Sequence, residues 1–282
     1  MRRLFAVLSL VAACTAGPRP EAAGTRVVPE PVPAKAPAVR AYVAPWISPP
    51  VIDGRIDDSA WEPAPWSDPF VDIEGDRRPR PRHDTRVRVG WDDSTLYVAA
   101  RLAEPDVWAT LTTRDTVIFY DNDFEVFLDP DGDAARYFEL EINALNTQWD
   151  LFLPVAYRDG GKALDAFDFA GLRSAVSLDG TLNDPSDRDR GWTIEIAIPF
   201  AAFTAPGVAH PPPRPGDSWR INFSRVQWDL RTASGRYAKV LDAVTGKPVP
   251  EHNWVWSPQG MIDMHQPEHW GVVTFTRGKE GR

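Results

Sequence analysis

From Thr85 onward, apolar and polar residues alternate with a period of two. "TRVRVGW" sets Val87, Val89 and Trp91 on one face and Arg86 and Arg88 on the other, and "DDS" then turns the chain into "TLYVAARL", which predicts a hairpin. The same alternation predicts strands over 124–128, 137–143, 147–153, 172–178, 191–199, 219–226 and 270–276. Clusters of Gly, Asp, Asn and Pro separate them, as turns require. Short strands with one apolar face bury it best as two stacked sheets, so the pattern predicts an all-β, antiparallel sandwich of jelly-roll type with short helical turns in its loops. No internal repeat or second linker breaks this region, so one domain is expected over 51–276, followed by a polar tail at 277–282.

The segment "VIDGRIDDSAWEPAPW", Val51 to Trp66, does not alternate. "IDG" suits a tight turn in which Gly54 takes positive φ, and "DDSAWEP" suits one capped helical turn that Pro63 ends. Trp61 and Trp66 are expected as lids that plug the sandwich edge rather than as ligand contacts.

Upstream the pattern changes again. Residues 15–50 are crowded with Pro and Ala and lack periodicity, which reads as an extended tether; only the residues around Trp46 are apolar enough to pack on the domain. Residues 1–14, "MRRLFAVLSLVAAC", combine two arginines, an apolar run and small residues before Cys14, the layout of an export signal. The run falls short of the about 20 apolar residues that a spanning helix takes. "VAAC" resembles a bacterial lipobox, in which Cys14 would carry acyl chains and anchor an exported protein at the outer membrane or cell surface. The alternative is an ordinary cleaved signal with an incidental cysteine.

Composition narrows the function. A formal charge of −9 among 282 residues repels phosphates and argues against a nucleic-acid partner. Cys14 is the only cysteine, which excludes an intramolecular disulfide and a cysteine zinc site. Twenty-eight prolines and 12 tryptophans agree with strands and loops rather than long helices.

In order along the chain, "VIDGRIDDSAW", "VRVGWDDSTLYVAARL", "DNDFEVFLDPDGD", "GWTIEIAIPF", "PGDSWRINFSR" and "PEHWGVVTF" resemble the family 9 carbohydrate-binding modules and their relatives. The resemblance covers Val51 to Phe275. It implies a β-sandwich that binds saccharides without catalysis, structural calcium, and association with enzymes that degrade polysaccharides. It also implies an aromatic residue six positions before a strand glutamate, matched here by Phe119 and Glu125, with Phe where the family usually has Trp. Glu141 falls where relatives have a basic sugar contact, and the second stacking Trp of the family aligns close to Met264.

Sugars combine apolar C–H faces with hydroxyls, so a site pairs aromatic platforms with planar hydrogen-bonding side chains. Glu125 points away from Phe124 and Val126, and Glu139, Glu141 and Asn143 share the polar face of their strand. Trp149 stands in a segment able to reach that face, and Trp256 and His265 are the contacts expected from the loop before the last strand. The candidate ligand-binding set is therefore Phe119, Glu125, Glu141, Asn143, Trp149, Trp256 and His265. The bland reading of the strand glutamates is the wet side of a sheet.

"DPDGD" offers Asp129, Asp131 and Asp133 as hard oxygen ligands for Ca2+, or else is an acidic turn. It is no EF-hand, because Gly132 comes too early and no glutamate closes a loop. "HQPEH" lacks the helix of a zinc protease, with Pro267 between its histidines. The five arginines of "GDRRPRPRHDTR" make a solvated loop or an anion contact. Two other functions stay open: a haem or redox sandwich using Met261, Met264 and His265, and a structural envelope protein.

Overall fold

A computed structural model of the protein describes residues 38–208 and 212–277. Its strands are β1 (Ala41–Pro45), β2 (Val71–Asp72), β3 (Thr85–Trp91), β4 (Thr95–Ala103), β5 (Asp123–Asp129), β6 (Tyr137–Asn143), β7 (Gln148–Leu153), β8 (Arg173–Asp179), β9 (Gly191–Pro199), β10 (Ser218–Gln227), β11 (Leu230–Ala233), β12 (Arg236–Lys239), β13 (His252–Val255) and β14 (Gly271–Thr276). The only helices among the described residues are 3-10 turns of three residues.

Two layers result. The larger sheet runs β1-β14-β10-β5-β6-β7, with β13 pairing the far end of β10 and then β2; the smaller runs β3-β4-β9-β8. All of these pairs are antiparallel except β1 with β14. The inward residues are those the alternation selects. Phe124, Val126 and Leu128 of β5 and Phe138, Leu140 and Ile142 of β6 share one core with Val87, Val89 and Trp91 of β3 and Ile194, Ile196 and Ile198 of β9. Shedding water from these facing side chains is the main force holding the layers together. The antiparallel sandwich is therefore as expected.

Two features differ from the sequence reading. The chain joins the fold before Val51: β1 lies within the Pro/Ala-rich segment and pairs with β14, because Tyr42 and Ala44 alternate with exposed neighbours and both enter the main core. Nor are the outer faces uniformly wet. Ile73, Phe127, Tyr137, Leu151, Leu153, Val255, Met264 and Trp270 form a second apolar layer outside the larger sheet, and Ile47, Trp61, Ala64, Tyr97, Ala99 and Ala197 form a third outside the smaller one. β4 and β7 carry apolar residues on both faces, which a strict two-period reading assigns to solvent on one side.

The Val51–Trp66 segment builds that third layer. Gly54 has φ +85°, and a Cβ there would meet the Val176 carbonyl carbon at 2.6 Å, so the tight turn demands glycine. Asp58 caps the 3-10 turn Ser59–Trp61 by accepting from the Ala60 N–H at 2.9 Å. The turn drives Trp61 into complete burial, where its Nε1 donates to Glu195. Trp66 is half-buried and carries the Arg88 and Arg101 guanidinium groups on its ring. Residues 1–37 and 278–282 lie outside the described residues, so the export signal, the lipidation at Cys14 and most of the expected tether do too.

Candidate functional site

The outer face of the larger sheet carries a cleft of about 300 Å³. Its floor is laid by register. On β5 and β6, Glu125 stands directly opposite Glu141 and Phe127 opposite Glu139; on β6 and β7, Glu141 stands opposite Trp149. Alternation sends all of these to the same side, away from the main core. Phe119, from the 3-10 turn before β5, forms one wall, and Tyr157, Met264, His265 and Ile262 come from loops that arch over the sheet. Glu251 and Asn253, at the start of β13, complete the rim.

The site is strongly acidic. Glu125, Glu139 and Glu141 are 5%, 4% and 1% exposed, and Asp123, two residues before Glu125 on the same face, is fully buried. No lysine or arginine lines the cleft among the described residues. Burial pushes Glu125 up to about 7. Burial, reinforced by the neighbouring Glu125 charge, pushes Asp123, Glu139 and Glu141 well above the ordinary carboxylate range. Two like charges 4 Å apart repel by about 4 kcal/mol at the effective dielectric of such a site, so the group cannot be fully ionised near neutral pH without a cation. Carboxyls of this kind can accept bonds from hydroxyls, donate one while protonated, or gather a positive charge.

Of the expected contacts, Phe119, Glu125, Glu141, Trp149 and His265 come together here. Phe119 packs against Tyr120 with ring centroids 4.9 Å apart, and its backbone N–H donates to Glu141 Oε2 at 3.0 Å. His265 Nδ1 bonds the Tyr137 hydroxyl at 3.0 Å, and burial lowers the imidazole pKa to about 4. Met264, near which the family's second Trp aligns, is buried in the outer apolar layer and lines the cleft.

Two expectations are corrected. Trp256 lies in the main core between the sheets, 1% exposed, with its ring packed on Phe223 and Tyr42. A Cβ at Gly271 would come 2.1 Å from this ring, so the last strand begins with glycine to admit it. The residue is apolar filling: it follows β13 by one position and shares the inward side with Trp254. Asn143 is also committed to the fold. Its Oδ1 accepts from the Leu145 and Thr147 N–H groups, and its Nδ2 donates to Leu111 O and Asp121 Oδ2, which fixes the β6–β7 turn.

The reading from sequence missed Tyr157, Glu251, Asn253 and Asp263 as lining residues. Tyr157, Glu251 and Asp263 sit in segments without periodicity, so only the paths of their loops bring them in. For Asn253, the "HNW" run held the signal: β13 puts Trp254 inward and thus Asn253 outward. A second cavity, lined by Arg78, Arg80, Arg82 and Trp254, adjoins the cleft and shares Ile73, Glu251, Asn253 and Ile262 with it. Its arginines are partly neutralised, Arg78 by Glu74 and Arg82 by Asp229.

The Asp129–Asp131–Asp133 turn satisfies itself. Asp129 accepts from the Gly132 and Ala134 N–H groups, and Arg136 pairs with Asp133 and Asp131. One carboxylate oxygen from each aspartate lies within 4.8 Å of the others, yet an ion there would have to displace Arg136. The Met261–Met264–His265 group is divided: Met261 is exposed, Met264 belongs to the apolar layer and His265 Nδ1 is engaged by Tyr137.

The fold has counterparts among solved structures. A family 9 carbohydrate-binding module from Caldicellulosiruptor kristjanssonii in complex with cellotriose is 17% identical, with a TM-score of 0.55, covering 86% of this chain and 96% of that one. The module from that organism in complex with glucose gives 17% and 0.54, covering 86% and 99%. A putative carbohydrate-binding protein from Bacteroides uniformis gives 17% and 0.61, covering 84% and 100%. At these identities the likeness shows the shared sandwich fold. No curated protein matches the chain. The model of the family described as "Carbohydrate family 9 binding domain-like" matches residues 52–276, and the chain belongs to that family of saccharide-binding domains.

Proposed function

We propose that this protein binds a saccharide in the outer-face cleft and that its domain is a non-catalytic recognition module. One observation carries the reading: in a member of a carbohydrate-binding family, the fold gathers aromatic walls, Phe119, Trp149 and Tyr157, around planar hydrogen-bonding groups, Glu125, Glu139, Glu141 and Asn253, in one concave site. Aromatic rings suit the C–H faces of a pyranose, and the carboxyls and amide suit its hydroxyls. Glu141 in place of a basic residue shifts recognition from hydroxyls that accept toward hydroxyls that donate.

The wider role extends this reading. The protein is exported, acylated at Cys14 and tethered to the bacterial envelope, where it captures oligo- or polysaccharides for glycan-degrading enzymes. Structural calcium belongs to the same reading, at the Asp129–Asp131–Asp133 turn, with the ion taking over the role of Arg136.

Affinity electrophoresis and calorimetry of the purified protein against polysaccharides, cello-oligosaccharides and glucose test the binding. The expected result is retention on at least one of them, lost in Glu125→Gln and in Trp149→Ala. No retention on any saccharide overturns the reading. Metabolic labelling with a palmitate analogue, with Cys14→Ala as control, tests the anchor.

A further inference from the structure

Three triplets of carboxylates among the described residues bring one oxygen each to within 4.8 Å of one another. Two enclose an arginine. Arg114 pairs with Asp115, Asp150 and Asp168, and Arg136 pairs with Asp131 and Asp133. The third, Asp123, Glu125 and Glu141, is the most buried and has no ion-pair partner among the described residues. Arg225, on the neighbouring strand, points to the opposite face of the sheet and is taken by Glu104, and the Lys239 ammonium sits 3.2 Å from the centre of the Trp228 ring.

Donors are scarce as well as cations: Glu141 accepts from the Phe119 N–H, and Glu125 has the Ser224 hydroxyl beside it. Elsewhere this fold supplies its buried carboxylates generously. Asp121 accepts from the N–H groups of Thr110 and Leu111, from the Thr110 hydroxyl and from Asn143; Glu195 accepts from Trp61, Asp53 and Gly54; Asp189 accepts from Val107 and Thr181. Among the described residues Asp123 receives one bond, from the Val226 N–H to Oδ1 at 3.2 Å, and its fully buried Oδ2 meets no donor. A buried carboxylate oxygen without a partner is costly and rare in a native interior. Here it belongs to a side chain standing beside two further carboxylates that open to the cleft.

We propose that Asp123, Glu125 and Glu141 bind a divalent cation of the calcium type at the floor of the cleft. Oxygens at 2.3–2.6 Å from a shared Ca2+ lie no more than about 5.2 Å apart, and the observed spread fits that limit. The donor set is all oxygen, with no thiolate or imidazole, which favours a hard cation over zinc or copper. Register fixes it: Glu125 and Glu141 are cross-strand partners, and Asp123 is one pleat further along β5. Glu125 and Glu141 line the cleft whereas Asp123 lies behind them, so the open coordination positions of the ion face the cavity. That these positions take sugar hydroxyls rests on the saccharide reading; the cation site itself does not.

The test is a thermal-shift and calorimetric titration of the chelator-treated protein with Ca2+ and Mn2+, without sugar. The expected result is a concentration-dependent rise in Tm and saturable binding. Asp123→Asn and Glu141→Gln should weaken binding on the order of 100-fold or more, since removing a ligand exceeds the loss seen for outer-shell changes. Asp123→Asn replaces a buried carboxyl whose Oδ2 meets no donor among the described residues, so its Tm without metal should match or exceed the parent's, which separates lost binding from misfolding. Asp131→Asn should keep the Tm rise at the cleft. A Tm unmoved by either ion, or a rise that survives in Asp123→Asn and disappears in Asp131→Asn, overturns the proposal. Stabilisation by glucosamine oligomers in chelator with none by Ca2+ also overturns it and assigns the triplet to an ammonium group. Saccharide retention is measured separately, so loss of the cation site leaves the saccharide reading standing or falling by itself.

Discussion

Arg225 of the larger sheet and Glu104 at the end of a strand of the smaller sheet form an ion pair inside the sandwich, with side chains 1% and 2% exposed. Gln227 bonds both, and Arg225 also donates to the Thr85 hydroxyl and the Ala103 carbonyl. Such a pair gains little over an apolar substitute, but its halves are not independent. Arg225→Met should destabilise the domain by about 3–5 kcal/mol, because Glu104 is left buried and unpaired. Adding Glu104→Gln should recover a large part of the loss. Urea denaturation of the two variants checks both statements.

Glu195 is the anchor for the Val51–Trp66 segment. Its carboxylate accepts from Trp61 Nε1 at 2.7 Å and from the Gly54 and Asp53 N–H groups at 2.9 and 3.0 Å. Glu195→Ala strands three donors, two of them buried, and should cost about 3 kcal/mol or more; Glu195→Gln keeps an acceptor and should cost less. Limited proteolysis between Val51 and Trp66 should quicken in the same order. A Glu195→Ala protein as stable as the parent would mean that packing of Trp61 alone holds the segment.

The strands were legible because β5, β6, β9 and β10 carry clean two-period patterns, and Glu125 and Glu141 reached the right face for that reason. What alternation cannot show is how a face is covered. Glu139 and Glu141 look like solvated residues until Met264, His265 and Tyr157 arrive from distant loops. Trp254 and Trp256 differ in sequence only by position, and their roles follow from inter-strand pairing, a property of the fold. The β11–β12 hairpin gives no such signal, because each strand is four residues long with only two apolar residues, and its turn lies at Ser234–Gly235.

Trp149 on the outer face and Trp256 in the main core should respond differently to substitution. Trp149→Ala should weaken saccharide binding about tenfold while leaving stability little changed, since Trp149 is only partly buried. Trp256→Phe should leave affinity unchanged and destabilise by about 2 kcal/mol through the void left in the main core. Calorimetry for affinity and urea melts for stability read the two effects independently. Reversal of the pattern would move the binding surface away from the outer face.

His265 gives the fold a pH dependence of known sign. It is packed against Phe127, Tyr137 and Tyr157, with Asp263 the nearby acid, and burial lowers its pKa from 6.5 to about 4. Between those values the unfolded chain binds a proton that the folded chain does not. The contribution of this residue to stability is therefore full above pH 6.5, falls as the pH drops, and is exhausted near pH 4, a change of up to about 3 kcal/mol. The cleft carboxyls work in the opposite direction, because their raised values favour the folded state at lower pH, so the raw stability curve mixes both. The difference between the parent and His265→Gln isolates the imidazole, since Gln keeps an acceptor for the Tyr137 hydroxyl but does not titrate. The stability gap between the two proteins should narrow steadily from pH 6.5 to 4 in chemical denaturation, and a gap independent of pH would show that His265 is protonated equally in both states.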